Sequence, residues 1–568
     1  MATTPRWKQD TAVNHRRRGW PSIQMLALGL LIVEAFKTPT TQATEPAEAA
    51  TEPGPQRDLA VLLHPEEHLS RDPGLRQFTW NITKESRAPD GVKKEVFLIN
   101  NQFPGPTIEA RSGDVLEIEI LNFSDEEISL HWHGMHMRGA NHMDGPVGIT
   151  QCAIKPGKTF TYRVPIDDQA GTFWYHAHSE VHRGDGLYGG LVVHNPAVSE
   201  NDSFQYDREL LFLAGDWYHW QAEKVLATFA AATDTGNEPN PDSLLINGLG
   251  YFECSMATAA APVDCSEVEK PELLLDKSVR YRIRLVNVGS LTGISFTIAD
   301  SVMKPVQVDG GQPLDSHLAN TVGVLYPAQR VDFIVSWPKE VYDTDTEVTI
   351  VMDDDRRGME PKPEVVRFDL PSANGTTLAS PLPDNYKPFM IYTNVEILNH
   401  LFNVPKGFIN RTTWEPQSLP LVASDRKNWD SHQLVPWTGS ESTWVELTIN
   451  NIDSTGHPFH LHGFDFYVVA SYGGNGGWDY YNPFQSKPPR GGPFNLVNPV
   501  RRDTVYVPPW GYVVLRFLAD NDGIWALHCH VLWHQASGMT MAIQVLGDEI
   551  RGFSNSPSGI AASRFCST

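Results

Sequence analysis

Cysteine is scarce in this chain: five among 568 residues, too few to frame a fold with disulfides and odd in number. Four can pair and one is left over. Positive charge is also short, with 45 lysines and arginines against 68 aspartates and glutamates and a formal charge of −23. That balance argues against wrapping nucleic acid, which needs clustered cations. Long apolar runs are missing as well. The best, Ile23 to Val33, is broken by Gln24 and Gly29 and is too short to span a bilayer. It follows Arg16, Arg17 and Arg18, so residues 1–44 read as a signal peptide whose cleavage site is not evident. Hydrophobic residues at 41% and charged residues at 20% still leave ample material for a large core.

Residues 45–75 are rich in Ala, Glu and Pro and read as a linker or pro-segment. Five N-x-Ser/Thr sequons, at Asn81, Asn122, Asn201, Asn374 and Asn410, favour a secreted glycoprotein. Beyond residue 76 the pattern is one of short strands. Val115 to Ile120 and Trp444 to Ile449 alternate with period two, and 42 prolines and 44 glycines punctuate the chain. The expectation is an all-β protein built of sandwiches.

An internal repeat divides it. Leu116, Glu117, Ile118, Ile120 and Asn122 match Val445, Glu446, Leu447, Ile449 and Asn451 at a constant offset, and His131, His133 and Gly134 match His460, His462 and Gly463 at the same offset. A second block matches Gly171, His176, His178 and Gly186 to Gly523, His528, His530 and Gly538. Two related β-domains therefore flank a third, with expected limits 76–196, 197–370 and 371–568. The copies differ where Ile128, Ala177 and Leu187 in the first face His457, Cys529 and Met539 in the last.

Four His-x-His pairs stand out: His131/His133, His176/His178, His460/His462 and His528/His530. In a strand, residues i and i+2 share a face, so each pair can offer two imidazoles to one metal cluster. Cys529, between two of them, points the other way. With His457, His534 and Met539 it makes a His₂Cys set with a weak thioether, the composition of a blue-copper site. The remaining eight histidines suit a cluster of several copper ions between the two flanking domains.

These segments resemble the copper motifs of the three-domain multicopper oxidases, and among them the fungal laccases and laccase-like enzymes. The carriers are His131-Trp-His-Gly134, His176-Ala-His178, His457-Pro-Phe-His-Leu-His-Gly463 and the run from His528 to Met539. The resemblance implies three consecutive cupredoxin-like Greek-key domains and four copper ions. By position, His457, Cys529, His534 and Met539 would hold type 1 copper, His131 and His460 type 2. His133, His176, His178, His462, His528 and His530 would hold the type 3 pair. It implies further that single electrons from a reductant pass from Cys529 through the backbone to His528 or His530, and that dioxygen is reduced to water at the cluster.

Other residues take expected roles from the same resemblance. Asp144 matches the buried acid that assists proton delivery, and Asp242 the acid of the phenol pocket. Many laccases carry an acid two residues after the last cluster histidine, where this chain has Leu532, so that proton route is not expected. Met539 at the axial position implies a lower-potential site. Gly184 stands before Asp185-Gly186 where ferroxidase members carry a glutamate, which counts against iron as substrate. Cys152 resembles the family cysteine that pairs near the C-terminus, here Cys566, while Cys254 and Cys265 are spaced to close a local loop.

The expected protein is a secreted, monomeric, phenol-oxidising enzyme of the extracellular space or cell wall, with a small-molecule reductant and dioxygen as partners and no stable membrane insertion. Oxidation of ascorbate or bilirubin is the alternative within the same class. A blue-copper shuttle without oxidase activity needs only the Cys529 site and has no use for eight further histidines.

Overall fold

A computed structural model describes residues 59–196, 204–232, 237–259, 261–342, 347–353, 384–474, 479–485 and 487–567. The expected signal segment, residues 45–58, the sequons at Asn201 and Asn374 and the 370/371 domain border lie outside them.

The described strands form six sheets that make three cupredoxin-like sandwiches. In the first, Leu75–Arg87 and Val115–Asn122 run parallel at the centre of one four-stranded sheet. The facing sheet holds Leu130–His133 and Gly171–Ala177. The sheets meet through Trp80, whose ring centroid lies 6.2 Å from that of Trp132 and 4.7 Å from that of Tyr175. The last sandwich repeats the plan. Lys387–Ile397 and Thr443–Asn451 are its parallel pair, and His457–Leu461 and Gly523–Cys529 lie in the opposing sheet. The middle sandwich has the same parallel opening, Arg208–Trp217 with Tyr281–Asn287, and closes over Phe212, Phe296 and Phe333.

Val115–Asn122 alternates between buried and more exposed positions as its period-two pattern predicts. Its counterpart Thr443–Asn451 is buried almost throughout. The outer side of its sheet is covered by an extra aromatic layer in which Trp444, Tyr481 and Phe494 pack against Tyr512 and Val514. Side-chain alternation marks the two faces of a strand but does not say whether a loop will cover the second.

Two expectations are corrected. Residues 59–74, read as linker, pack onto the body: Val61 and Leu62 pair with Leu211 and Leu210, Leu59 and Leu63 are buried, and Arg71 forms an ion pair with buried Asp114. Two leucines at the right spacing outweigh a polar composition. The sequon at Asn122 is buried, and its amide donates to the carbonyls of Glu126 and Ile154, so it is a structural asparagine rather than a sugar acceptor. Asn81 and Asn410 are exposed.

Candidate metal centre

Antiparallel pairing brings the motifs together within each flanking sandwich. His131 sits opposite His176 in the first, and His460 opposite His528 in the last. The two sandwiches then present these histidines to each other. His131 and His462 approach to a centroid separation of 3.9 Å, and His133 and His460 to 3.7 Å. All eight rings of the four pairs join one cluster, seven of them buried and His178 half-buried. Three ligand-sized groups recur in it: His131/His460/His462, His131/His133/His176 and His178/His462/His528. His133 and His530 lie 5.1 Å apart, and His176 and His530 5.2 Å.

The ring nitrogens have a consistent polarity. His131, His176, His460 and His528 donate from Nδ1 to the carbonyls of Asp144, Ala177, Asp503 and Cys529, at 2.8 to 2.9 Å. His462 donates from Nδ1 to the Asp144 carboxylate at 2.9 Å. The other nitrogen of each is left facing the cluster. Nε2 of His131, His176 and His460, Nδ1 of His133 and both nitrogens of His530 are buried without a hydrogen-bond partner. Nε2 of His528 lies 3.0 Å from that of His462 and 3.2 Å from that of His178. Fixing one nitrogen fixes the tautomer and leaves the other as a metal donor. Orphaned buried nitrogens are costly unless an ion completes them, so the donor set fits bound metal. Burial, reinforced by neighbouring imidazoles or Arg183, holds His133, His176, His178, His462, His528 and His530 well below the ordinary histidine pKa. They are thus in the neutral form that binds metal.

Cys529 lies on the other side of its strand. Its Sγ is 3.8 Å from His457 Nδ1 and 3.7 Å from His534 Nδ1, and these nitrogens are 3.1 Å apart. Met539 is wholly buried and its carbonyl accepts from the Cys529 amide. Among the described residues Cys529 is the free cysteine, while Cys152–Cys566 and Cys254–Cys265 are disulfides.

Three carboxylates about these sites were not singled out in the sequence. Glu238 accepts from His534 Nε2 at 2.7 Å, and Asp453 accepts from His457 Nε2 at 2.9 Å. Burial opposes the charged imidazole, but Asp453 and Cys529 leave His457 raised above its ordinary pKa. Asp503 lies 3.3 Å from His133 Nε2 and binds Arg330 through both carboxylate oxygens, at 2.6 and 2.5 Å. Burial would raise the Asp503 pKa, but Arg330 and its histidine partners hold it well below the usual range. Gly134 makes this approach possible: its φ is +89°, and a Cβ there would stand 2.7 Å from Arg330 and 2.8 Å from Asp503.

The two acids expected from the sequence have different fates. Asp144 is fully buried and joins His131 and His462. Asp242 is exposed, accepts from the His219 amide at 2.8 Å and stands 3.9 Å from His219 Nδ1. Its carboxylate caps the chain just beyond the strand Arg208–Trp217, and it is Glu238, four residues earlier, whose carboxylate touches His534. Leu532, at the position of the family acid, is buried and its amide donates to Ser290 O.

Three family models, each described as multicopper oxidase, match residues 81–198, 208–346 and 398–549. The chain belongs to the multicopper oxidase family. Copper is therefore the cofactor that the family implies for these donors. This multicopper oxidase is 31% identical to Laccase-1 of Cryptococcus neoformans var. grubii, over 83% of this chain and 80% of that one. It is 30% identical to the L-ascorbate oxidase of Cucumis sativus, over 82% and 88%. Its fold is similar to that of Fet3p, a multicopper oxidase that functions in iron import, with a TM-score of 0.69 at 25% identity, covering 87% of this chain and 95% of that one. No helix among the described residues is long and apolar enough to cross a membrane.

Proposed function

We propose that this multicopper oxidase takes single electrons from phenolic reductants beside His534 and reduces dioxygen to water at the eight-histidine cluster. The observation that carries the reading is the carboxylate of Glu238 on the outer nitrogen of His534, in the place first expected for Asp242. A carboxylate there can accept the phenolic proton as the electron leaves, avoiding a high-energy cation radical. His457, Cys529, His534 and Met539 would hold type 1 copper, His131 and His460 type 2, and His133, His176, His178, His462, His528 and His530 the type 3 pair, four ions in all. Copper so bound supplies one-electron redox chemistry and the binding of oxygen.

The chain's own residues do the rest. Cys529 is covalently continuous with His528 and His530, so the two sites are joined through the backbone. Asp144 orients His131 and His462 and keeps a carboxylate at the cluster. The proposed setting is extracellular or cell-wall, with the enzyme acting as a monomer on small molecules.

Oxidation of Fe(II) is the second reading. It is favoured by Asp453, which places a second carboxylate on the other cysteine-flanking histidine, His457. Two acids at the same site suit a cation, and they weigh against the inference first drawn from Gly184. Oxygen uptake measured with a catechol, ascorbate, bilirubin and Fe(II) separates these readings. A specificity constant for Fe(II) or ascorbate far above that for every phenol would refute the phenolic reading.

A further inference from the structure

A cleft of about 650 Å³ opens beside the cluster, with His178 in its lining together with Lys84, Glu126, Ser179, His182 and Gln535. His182 belongs to none of the copper-motif positions. It is buried, yet both ring nitrogens are engaged: Nε2 lies 2.6 Å from Glu126 Oε2 and Nδ1 lies 3.0 Å from Ser179 Oγ. The ring packs on Phe97 at 5.0 Å between centroids. Ser179 Oγ also accepts from the Ser129 amide at 3.0 Å, and the Ser129 carbonyl accepts from the His178 amide at 3.0 Å, which fixes the hydroxyl between His182 and the start of the strand that carries His131 and His133. Gln535 Nε2 stands 3.4 Å from His178 Nε2 in the same cleft.

We propose that His182, held by Glu126 and relayed through Ser179, is a proton donor to the His178 side of the cluster. The proposal rests on reading that cluster as the site of dioxygen reduction. Each dioxygen converted to two waters takes four electrons, from four one-electron oxidations of the reductant, and four protons, from solvent. Leu532 supplies no proton, and Asp144 stands against His131 and His462, so a proton source on the His178 side has to be another group. With Glu126 ionised, the neutral His182 ring donates from Nε2 to Glu126 and accepts at Nδ1. An added proton therefore sits on Nδ1, facing Ser179 Oγ. Its release passes one proton to the hydroxyl while the hydroxyl's own proton moves on into the cleft, and cleft water reverses the exchange.

Acidic side chains outnumber basic ones in the cleft around His182. Lys84 from the first strand pairs with Glu126, while Glu127, Glu180, Asp185 and Glu223 line the cleft. Asp185 is committed to Lys94 at 2.8 Å and to the Ala222 amide. Hydrogen bonding from His182 and Lys84, outweighing burial, lowers the Glu126 pKa to about 2. Glu126 therefore stays a carboxylate.

The test compares the copper-loaded parent with His182→Gln and Glu126→Gln. Glutamine at 182 can keep both hydrogen bonds but cannot carry the proton. Expected for His182→Gln is unchanged copper content and blue absorbance, unchanged bleaching by reductant without oxygen, and oxygen uptake reduced about tenfold at neutral pH, the gap closing as pH falls. A readout independent of turnover is ¹⁵N-histidine NMR of the fully reduced, copper-loaded protein. The resonance missing in His182→Gln should titrate, and Glu126→Gln should lower its midpoint by about one pH unit or more. Should His182→Gln fail to load copper, Glu126→Gln carries the test with the same readouts. Oxygen uptake within twofold of the parent at every pH, or an unmoved midpoint in Glu126→Gln, overturns the relay. A copper-loaded parent that consumes no oxygen with any reductant overturns the cluster reading itself, and the relay with it.

Discussion

Replacing Glu238 by glutamine removes one charge and keeps nearly the same shape. The side chain of Glu238 is 6% exposed and that of His534 1%, with 2.7 Å between acceptor and donor. A charge-assisted hydrogen bond between buried partners contributes about 1.5–3 kcal/mol. If that interaction is used as a phenolic proton departs, its loss should lower kcat/KM for phenols by roughly ten- to a hundredfold, since about 1.4 kcal/mol is a factor of ten. A one-electron donor that releases no proton, such as ferrocyanide, should lose far less. The assay is steady-state oxygen uptake with a phenol, ferrocyanide and Fe(II) for parent and Glu238→Gln, with blue absorbance as the control for an intact Cys529 site. An equal loss with ferrocyanide and phenol would mean that Glu238 only orients His534, and no loss with the phenol would refute the proton-acceptor argument outright. A loss confined to Fe(II), and shared by Asp453→Asn, would transfer the site to a cationic substrate.

Arg330→Met leaves the Asp503 carboxylate buried and uncompensated beside His133, so it should destabilise the protein by about 3–5 kcal/mol, read from the denaturant midpoint. Cys566→Ser frees the C-terminal helix Pro557–Cys566 from Cys152 and should cost about 2–4 kcal/mol, with earlier proteolysis of that helix as the check. In the middle sandwich, burial would raise the pKa of Glu209, but Arg284 and Arg282 bring it down to about 2 from an ordinary 4.5. A pKa lower in the folded state means stability present above the ordinary value and lost as pH falls towards 2. Glu209→Gln should therefore flatten the acid limb of an unfolding curve followed by tryptophan fluorescence, and an unchanged limb would contradict the assignment.

Much of this was legible in sequence because it depends on backbone periodicity. Period two places His528 and His530 on one face and Cys529 on the other, whatever packs against them, and the structure separates them so. The repeat likewise identified equivalent strands, because His131 and His460 occupy the same step of the same sandwich plan. The carboxylate on His534 shows the limit. Glu238 and Asp242 share one turn-rich stretch, and pattern alone cannot say which reaches a histidine nearly 300 residues away.

By itself, then, the sequence determined the strand class and the repeat and put forward the twelve proposed donor side chains, all of them local in origin. Only the tertiary structure decided which carboxylates meet those donors. Glu238 on His534 and Arg330 through Asp503 on His133 each join distant segments across packed elements. Such contacts arise from how the sandwiches and their loops dock, and docking is settled by the shape and charge of whole surfaces rather than by spacing along one strand.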